Sequence, residues 1–138
     1  MADFHFYHPI EVRYGDLDPQ GHVNNASFLT YFEQARVNYL IHLGLYAPER
    51  SFLEVGIILA DAHVTFLTPV LFGMEVRVGV RVTRLGNKSL TMEYEMLAAT
   101  NTCLATGDSA LVTFDYRTQK TIPIPAVWRE KITGFEGL

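Results

Sequence analysis

Ten residues, DLDPQGHVNN (16–25), bring together Asp16, Asp18, His22, Asn24 and Asn25, all able to bind, carry protons or attack. Their spacing first suggests a cation. Asp16, Asp18 and Gly21 fill the first, third and sixth places of a calcium loop, and apolar Val23 fills the eighth. The fifth place, however, is Gln20, and the twelfth, where a bidentate Glu closes such a cage, is Ser27. With two carboxylates and no closing Glu, negligible calcium affinity is expected. A loop carboxylate has two other uses: it caps backbone N–H groups, or it serves as nucleophile or general base.

Other polar sets carry less chemistry. Asp61, His63 and Thr65 alternate on one face of a strand pattern and invite a zinc or triad reading. No Cys or His pair at metal spacing completes a site, so no metal is expected and the set reads as a polar strand face at solvent or at a subunit contact. Ser89 and Ser109 lack a nearby base and a G-x-S-x-G context, which excludes a serine hydrolase of that type. Glu33 and Arg36 lie three apart on a helix pattern and read as a structural pair. Arg36 falls in an apolar stripe and needs a partner, which Glu33, Asp16 or a second subunit must supply. Arg84 and Lys88 flank the turn LGN (85–87), either as phosphate contacts or as solvated charges.

These side chains must be positioned by a single domain. The 138 residues, 49% of them hydrophobic, suit one soluble globule burying about two thirds of its unfolded surface. A net charge of -4 from 11 basic and 15 acidic residues gives nucleic acid no electrostatic footprint. One cysteine, Cys103, cannot form an internal disulfide, MADFHFYHPIEV is no signal peptide, and no apolar run of about 18 residues spans a bilayer. A cytoplasmic setting is expected, with neither nucleic acid nor membrane as partner.

HPIEVRYG (8–15) reads as a strand with Ile10, Val12 and Tyr14 on one face. Pro19 and Gly21 keep the next loop from continuing it. From Ala26 to Leu43 the pattern turns helical, with Phe28, Leu29, Phe32, Ala35, Tyr39, Leu40 and Leu43 on one stripe and Thr30, Gln34 and Asn38 opposite. Asn24 or Asn25 is the N-cap, and Gly44 stands where a left-handed cap belongs. Four alternating stretches follow. Ile58, Ala60, Ala62, Val64 and Phe66 share a face in 57–67; Met74, Val76, Val78, Val80 and Val82 in 74–83; Leu90, Met92, Tyr94 and Met96 in 89–97. The fourth runs from Cys103 to Tyr116, and PIPAVWREKI (123–132) ends the chain's pattern as a short helix. Strand, long helix and four strands joined by short turns predict an α+β fold with an antiparallel sheet. One helix cannot cover the whole sheet, so pairing through an exposed edge is expected.

The residues RYGDLDPQGHVNNASFLTYFEQAR (13–36) resemble the motif of hotdog-fold thioesterases, of the 4-hydroxybenzoyl-CoA thioesterase type and its bacterial acyl-CoA relatives. That motif runs D-x-D-x-x-G-x-V, then a helix carrying E-x-A-R; here it is met by Asp16, Asp18, Gly21, Val23, Glu33, Ala35 and Arg36. HVNN is also similar to plant acyl-ACP thioesterases, where an Asp precedes the motif's His by four residues, as Asp18 precedes His22. NKSL (87–90) resembles the hairpin whose basic residues approach the CoA phosphates. His22 and Asn24–Asn25 depart from the benzoyl branch, which has apolar and aromatic residues there, and point away from an aromatic acyl group.

The resemblance implies a hotdog fold, a curved antiparallel sheet of about five strands around one long helix, assembled as a homodimer or tetramer. It implies hydrolysis of an acyl-CoA thioester without a cofactor and gives the nucleophile or general-base role to Asp18. The physical context agrees, because Asp18 precedes a helix whose first N–H groups lack intrahelical partners and carry the positive end of the dipole. The backbone N–H of Asn25 is the candidate oxyanion donor. His22 either orients a water or contacts the thioester, or only bonds the loop; Asn24 and Asn25 are caps, one amide reaching the substrate. Asp16 is read as structural. Arg84 and Lys88 are assigned to the CoA phosphates. An acyl-ACP thioesterase and a non-catalytic acyl-binding hotdog module are the alternatives; a pure binder has no need of Asp18 at that place.

Overall fold

The computed structural model describes residues 3–49 and 56–138. Strand β1 (Tyr7–Glu11) leads through a 3-10 turn (Tyr14–Asp16) into helix α1 (Asn25–His42). Strands β2 (Gly56–Phe66), β3 (Glu75–Leu85), β4 (Ser89–Ala98), β5 (Cys103–Asp115) and the two-residue β6 (Lys120–Thr121) follow, and α2 (Ala126–Glu136) ends the chain. All pairings are antiparallel, in the order β1-β3-β4-β5-β2, with β6 added to the end of β5.

Alternation explains the middle of this sheet. Val76, Val78, Val80 and Val82 of β3 sit opposite Ala98, Met96, Tyr94 and Met92 of β4, and all eight are buried. Cross-strand partners face the same side, so these pairs make one continuous apolar surface. Helix α1 lies on it with Phe28, Tyr31, Phe32, Ala35, Tyr39 and Leu40 buried. Phe32 stacks on Tyr94 with ring centroids 4.6 Å apart and planes 6° from parallel, an arrangement that adds about 1 kcal/mol beyond burial. Gly107 of β5 admits this contact, since a Cβ there would lie 2.6 Å from the Phe32 ring. The apolar packing holds the helix start beside the sheet.

Four expectations need correction. The first strand stops at Glu11 instead of reaching residue 15, and Tyr14 in the 3-10 turn is 80% exposed, because Asp16 folds the backbone back onto Arg13. Leu29 is exposed and Tyr31 is buried on α1, so the covered stripe is rotated from the expected one, while Arg36 is buried within it as expected. In β2 a bulge between Leu59 and Asp61 breaks the alternation. Ile57 and Leu59 pair with buried Thr113 and Leu111, while Ile58 pairs with Val112 and turns to the other face. The last helix also runs on to Glu136, whose carboxylate accepts bonds from the Tyr39 hydroxyl at 2.6 Å and the Val82 N–H at 3.0 Å. These bonds tie α2 to α1 and to β3.

Strand β2 closes the sheet path at an edge, and most of its side chains are exposed, Ile58, Leu59 and Phe66 among them. No helix of the described residues is long and apolar enough to cross a membrane.

Candidate active site

The site is built where β1 gives way to α1. Asp16 is 5% exposed and is held from three directions. The Arg13 N–H donates to its Oδ2 at 3.0 Å, the Arg13 guanidinium to its Oδ1 at 3.1 Å, and the Tyr31 hydroxyl to its Oδ2 at 2.7 Å. Burial alone would raise this carboxyl's pKa; the Arg13 N–H, the Tyr31 hydroxyl and the Arg13 guanidinium outweigh burial and hold it below the usual range. The Tyr31 phenol is pushed up by burial and by the Asp16 carboxylate it serves. Asp16 also accepts the Asn24 N–H on its own carbonyl at 2.8 Å, which pins the start of α1 to the turn.

Between those two residues the chain makes a small hairpin. Leu17 pairs with Val23, and the Asp18 N–H donates to the His22 carbonyl at 2.8 Å. Asp18, Pro19, Gln20 and Gly21 form the turn, closed by the Gly21 N–H on the Asp18 carbonyl at 3.0 Å. Gly21 has φ +83°, a left-handed conformation that costs a glycine little. The hairpin is fixed to the rest of the fold by the Val23 N–H on the Val70 carbonyl at 2.8 Å and by the pairing of His22 with Leu71.

Asp18 differs from Asp16. It is half-buried, and its Oδ1 accepts the N–H groups of Gln20 at 2.9 Å and His22 at 3.3 Å. Its Oδ2 has no hydrogen-bond partner among the described residues. Asp18 and His22 are opposite each other in the hairpin and so point to one side, and the His22 imidazole is likewise without a partner among the described residues.

The helix start is equally selective. Asn24 is the N-cap: its Oδ1 accepts the Ala26 N–H at 2.9 Å and its carbonyl the Ser27 N–H at 2.9 Å. The Asn24 N–H is spent on Asp16. This leaves the Asn25 N–H without a partner among the described residues, at the positive end of an 18-residue helix. The Asp16–Asn24 bond sets the distance scale, for Asp18 is two residues further on, about 7 Å of extended chain.

Exposed apolar side chains rim this corner: Leu29 on α1, then Phe66, Leu67, Leu71 and Phe72 from the end of β2 onward. Phe66 meets Phe28 edge-on with centroids 5.0 Å apart, and Phe72 meets Tyr14. Exposed apolar side chains gathered in one segment in this way are candidates for a ligand or partner surface. Sequence reading missed it because Phe66 to Phe72 lie at least 30 residues beyond Arg36, the last residue of the motif. The TPVLFG joint was the available signal, being too apolar for a solvent loop.

The remaining candidates lie elsewhere. Arg84 and Lys88 are exposed at the β3–β4 hairpin, with the Lys88 ammonium 3.4 Å from the Thr121 hydroxyl. The corner is at the other end of β3, and nine residues of strand from Glu75 to Arg84 measure about 30 Å. The chain therefore does not bring these two residues to its own Asp18. Arg36 has as its near partner not a carboxylate but the Tyr94 hydroxyl, at 3.1 Å, while Glu33 is 3.8 Å away. Asp61, His63 and Thr65 face outward together on β2. Among the described residues no group of three or more His, Cys, Asp or Glu is placed to hold a metal ion.

Residues 12–132 match the model of the thioesterase-like superfamily. A thioesterase of Thermus thermophilus, solved in complex with coenzyme A and Zn, is 38% identical and aligns over 100% of this chain and 98% of its own, with a TM-score of 0.85. YsmA of Bacillus subtilis is 30% identical over 93 residues, which cover 67% of this chain and 61% of YsmA. The acyl-CoA thioester hydrolase YbgC of Escherichia coli O157:H7 is 24% identical over 120 residues, 87% of this chain and 90% of its own length.

Proposed function

The chain belongs to the thioesterase-like superfamily, a family of thioester hydrolases with the hotdog fold, and from that premise we propose that it hydrolyses an acyl-CoA thioester to the free acid and CoA. One observation carries the residue assignment: the hairpin that leads into α1 holds an Asp18 oxygen without a partner among the described residues, and the Asn25 N–H at the helix start also has none there. The thioester carbonyl sits between them. Its carbon meets Asp18, and its oxygen gathers charge toward the Asn25 N–H as the carbon becomes tetrahedral. Either the carboxylate attacks, expelling the CoA thiolate and leaving a mixed anhydride that water opens, or it takes a proton from a water whose oxygen makes the attack. His22, on the same side of the hairpin, orients that water or the thioester, and the Asn24 amide nitrogen contacts the substrate.

The exposed rim of Leu29, Phe66, Leu67, Leu71 and Phe72 supports an apolar acyl group at this corner. The exposed apolar edge of β2 supports a homodimer, or a dimer of dimers, paired through that strand. Because Arg84 and Lys88 stand at the far end of β3 from the Asp18 corner, with about 30 Å of strand from Glu75 to Arg84, they serve the CoA phosphates of a substrate bound to another protomer. A reducing, cytoplasmic setting belongs to this reading, since Cys103 is free.

A panel of acyl-CoAs from acetyl to palmitoyl, with aromatic members, tests it by release of free thiol. Turnover well above the blank is expected for at least one aliphatic class. No thiol released from any member would reject the activity, and turnover of aromatic thioesters alone would reject the substrate class.

A further inference from the structure

A second cavity lies away from the Asp18 corner. It has a volume of about 320 Å³ and is walled by Val37 and Leu40 of α1, Ile57 of β2, Leu111 of β5 and Trp128 of α2. Its first residue on α1, Glu33, is eight residues past Asn25, about 12 Å along the helix. A volume of this size is at the lower end of the range of about 300–1,000 Å³ found for small-molecule sites.

Two charged residues line the cavity, the exposed Glu33 and the buried Arg36. Arg36 is 7% exposed, and its guanidinium is only partly engaged. One terminal nitrogen donates to the Tyr94 hydroxyl at 3.1 Å, and that hydroxyl is itself 2.6 Å from Ser109 Oγ. The other terminal nitrogen lies 3.8 Å from the Glu33 carboxylate, too far for a hydrogen bond, and the Glu33 side chain is 67% exposed. A pair of this kind is loosened by water and salt. The Arg36 Nε has no partner among the described residues. Among the described residues no buried side-chain nitrogen or oxygen lacks a partner, so the unpaired Arg36 donors are open to solvent; an arginine does not shed its proton, and they stay charged and able to meet an acceptor that enters the cavity. A carboxylate meets such a fork with two parallel bonds.

We propose that this cavity binds an aliphatic carboxylate, its chain among Val37, Leu40, Ile57 and Leu111 and its head group on Arg36. The occupant has the chemistry of a free acid, and binding needs neither Asp18 nor turnover. The proposal stands or falls apart from the proposed activity.

Trp128 is the only tryptophan of the chain, is buried, and lines the cavity, so its fluorescence reports occupancy. The whole protein is titrated with octanoate, octan-1-ol and octylamine at fixed ionic strength. Octanoate is expected to give a saturable change, with octanol at least about 10-fold weaker and octylamine inert. Arg36→Met is expected to weaken octanoate about 10-fold or more and to bring it level with octanol, and Arg36→Lys to recover part of the loss. Equal binding of octanoate and octanol by the parent protein overturns the proposal, as does the lack of a saturable change with octanoate. Both outcomes are read on the parent protein alone, whether or not the Arg36 variants fold.

Discussion

The 3-10 turn that ends at Asp16 and the hairpin that begins at Asp18 are neighbours with opposite electrostatics. Asp16 is buried and receives three hydrogen bonds from Arg13 and Tyr31, which engage both its oxygens. Asp18 is half-buried and spends one oxygen on its own turn. On the proposed reading these two carboxylates divide the work: the satisfied one holds the corner, and the half-satisfied one keeps an oxygen for chemistry. Burial by itself does not mark a candidate for reaction; hydrogen-bonding capacity left unmet among the described residues does.

This contrast breaks most visibly at Asp16. Asp16→Asn puts an amide where three donors converge, and a loss of about 3 kcal/mol in unfolding free energy is expected by chemical denaturation. Its pH signature is specific. The folded-state pKa of Asp16 is depressed, so its contribution is fully present above the unfolded value of about 3.9 and is lost as pH falls through the folded one. Parent protein should therefore lose stability below about pH 4, and the difference from Asp16→Asn should shrink over the same interval. A difference that stays constant down to pH 2 would contradict the assignment.

Tyr31→Phe removes one of the three donors and leaves Arg13 in place, so a smaller loss of about 1.5 kcal/mol is expected in the same assay. Equal losses in the two variants would mean that Tyr31, not the carboxylate, organises the corner. The smallest effect is expected far away. Lys88→Glu at the β3–β4 hairpin should raise KM for acyl-CoA roughly threefold with kcat nearly unchanged, because a phosphate contact contributes equally to ground and transition states. An unchanged KM would make Lys88 a solvated charge.

Much of this was legible in local pattern. The valines of β3 and the alternating residues of β4 mark buried faces by period alone, and Asn24 caps α1 as its type and position require. What escaped came from partners distant in the chain. Tyr31 meets Asp16 across 15 residues and Tyr94 meets Arg36 across 58, and no periodicity encodes such contacts. The bulge in β2 re-aims Ile58 without a Gly or Pro to announce it. At the site, the five polar candidates of DLDPQGHVNN could be named, but not which of their atoms remain unpaired. That depends on hydrogen bonds spent elsewhere, such as the Asn24 N–H on Asp16.

The central claim is that Asp18 acts as nucleophile or general base, and Asp18→Asn tests it most directly. Asparagine keeps the oxygen that accepts from Gln20 and His22, so the hairpin and its unfolding free energy should stay within about 1 kcal/mol of the parent, unlike Asp16→Asn. It cannot attack as a carboxylate or take a proton from water. The kcat for the best acyl-CoA of the panel should fall on the order of 10²-fold or more, measured on protein of unchanged assembly state. Turnover at the parent rate would contradict the account and leave Asp18 as a cap for its own turn.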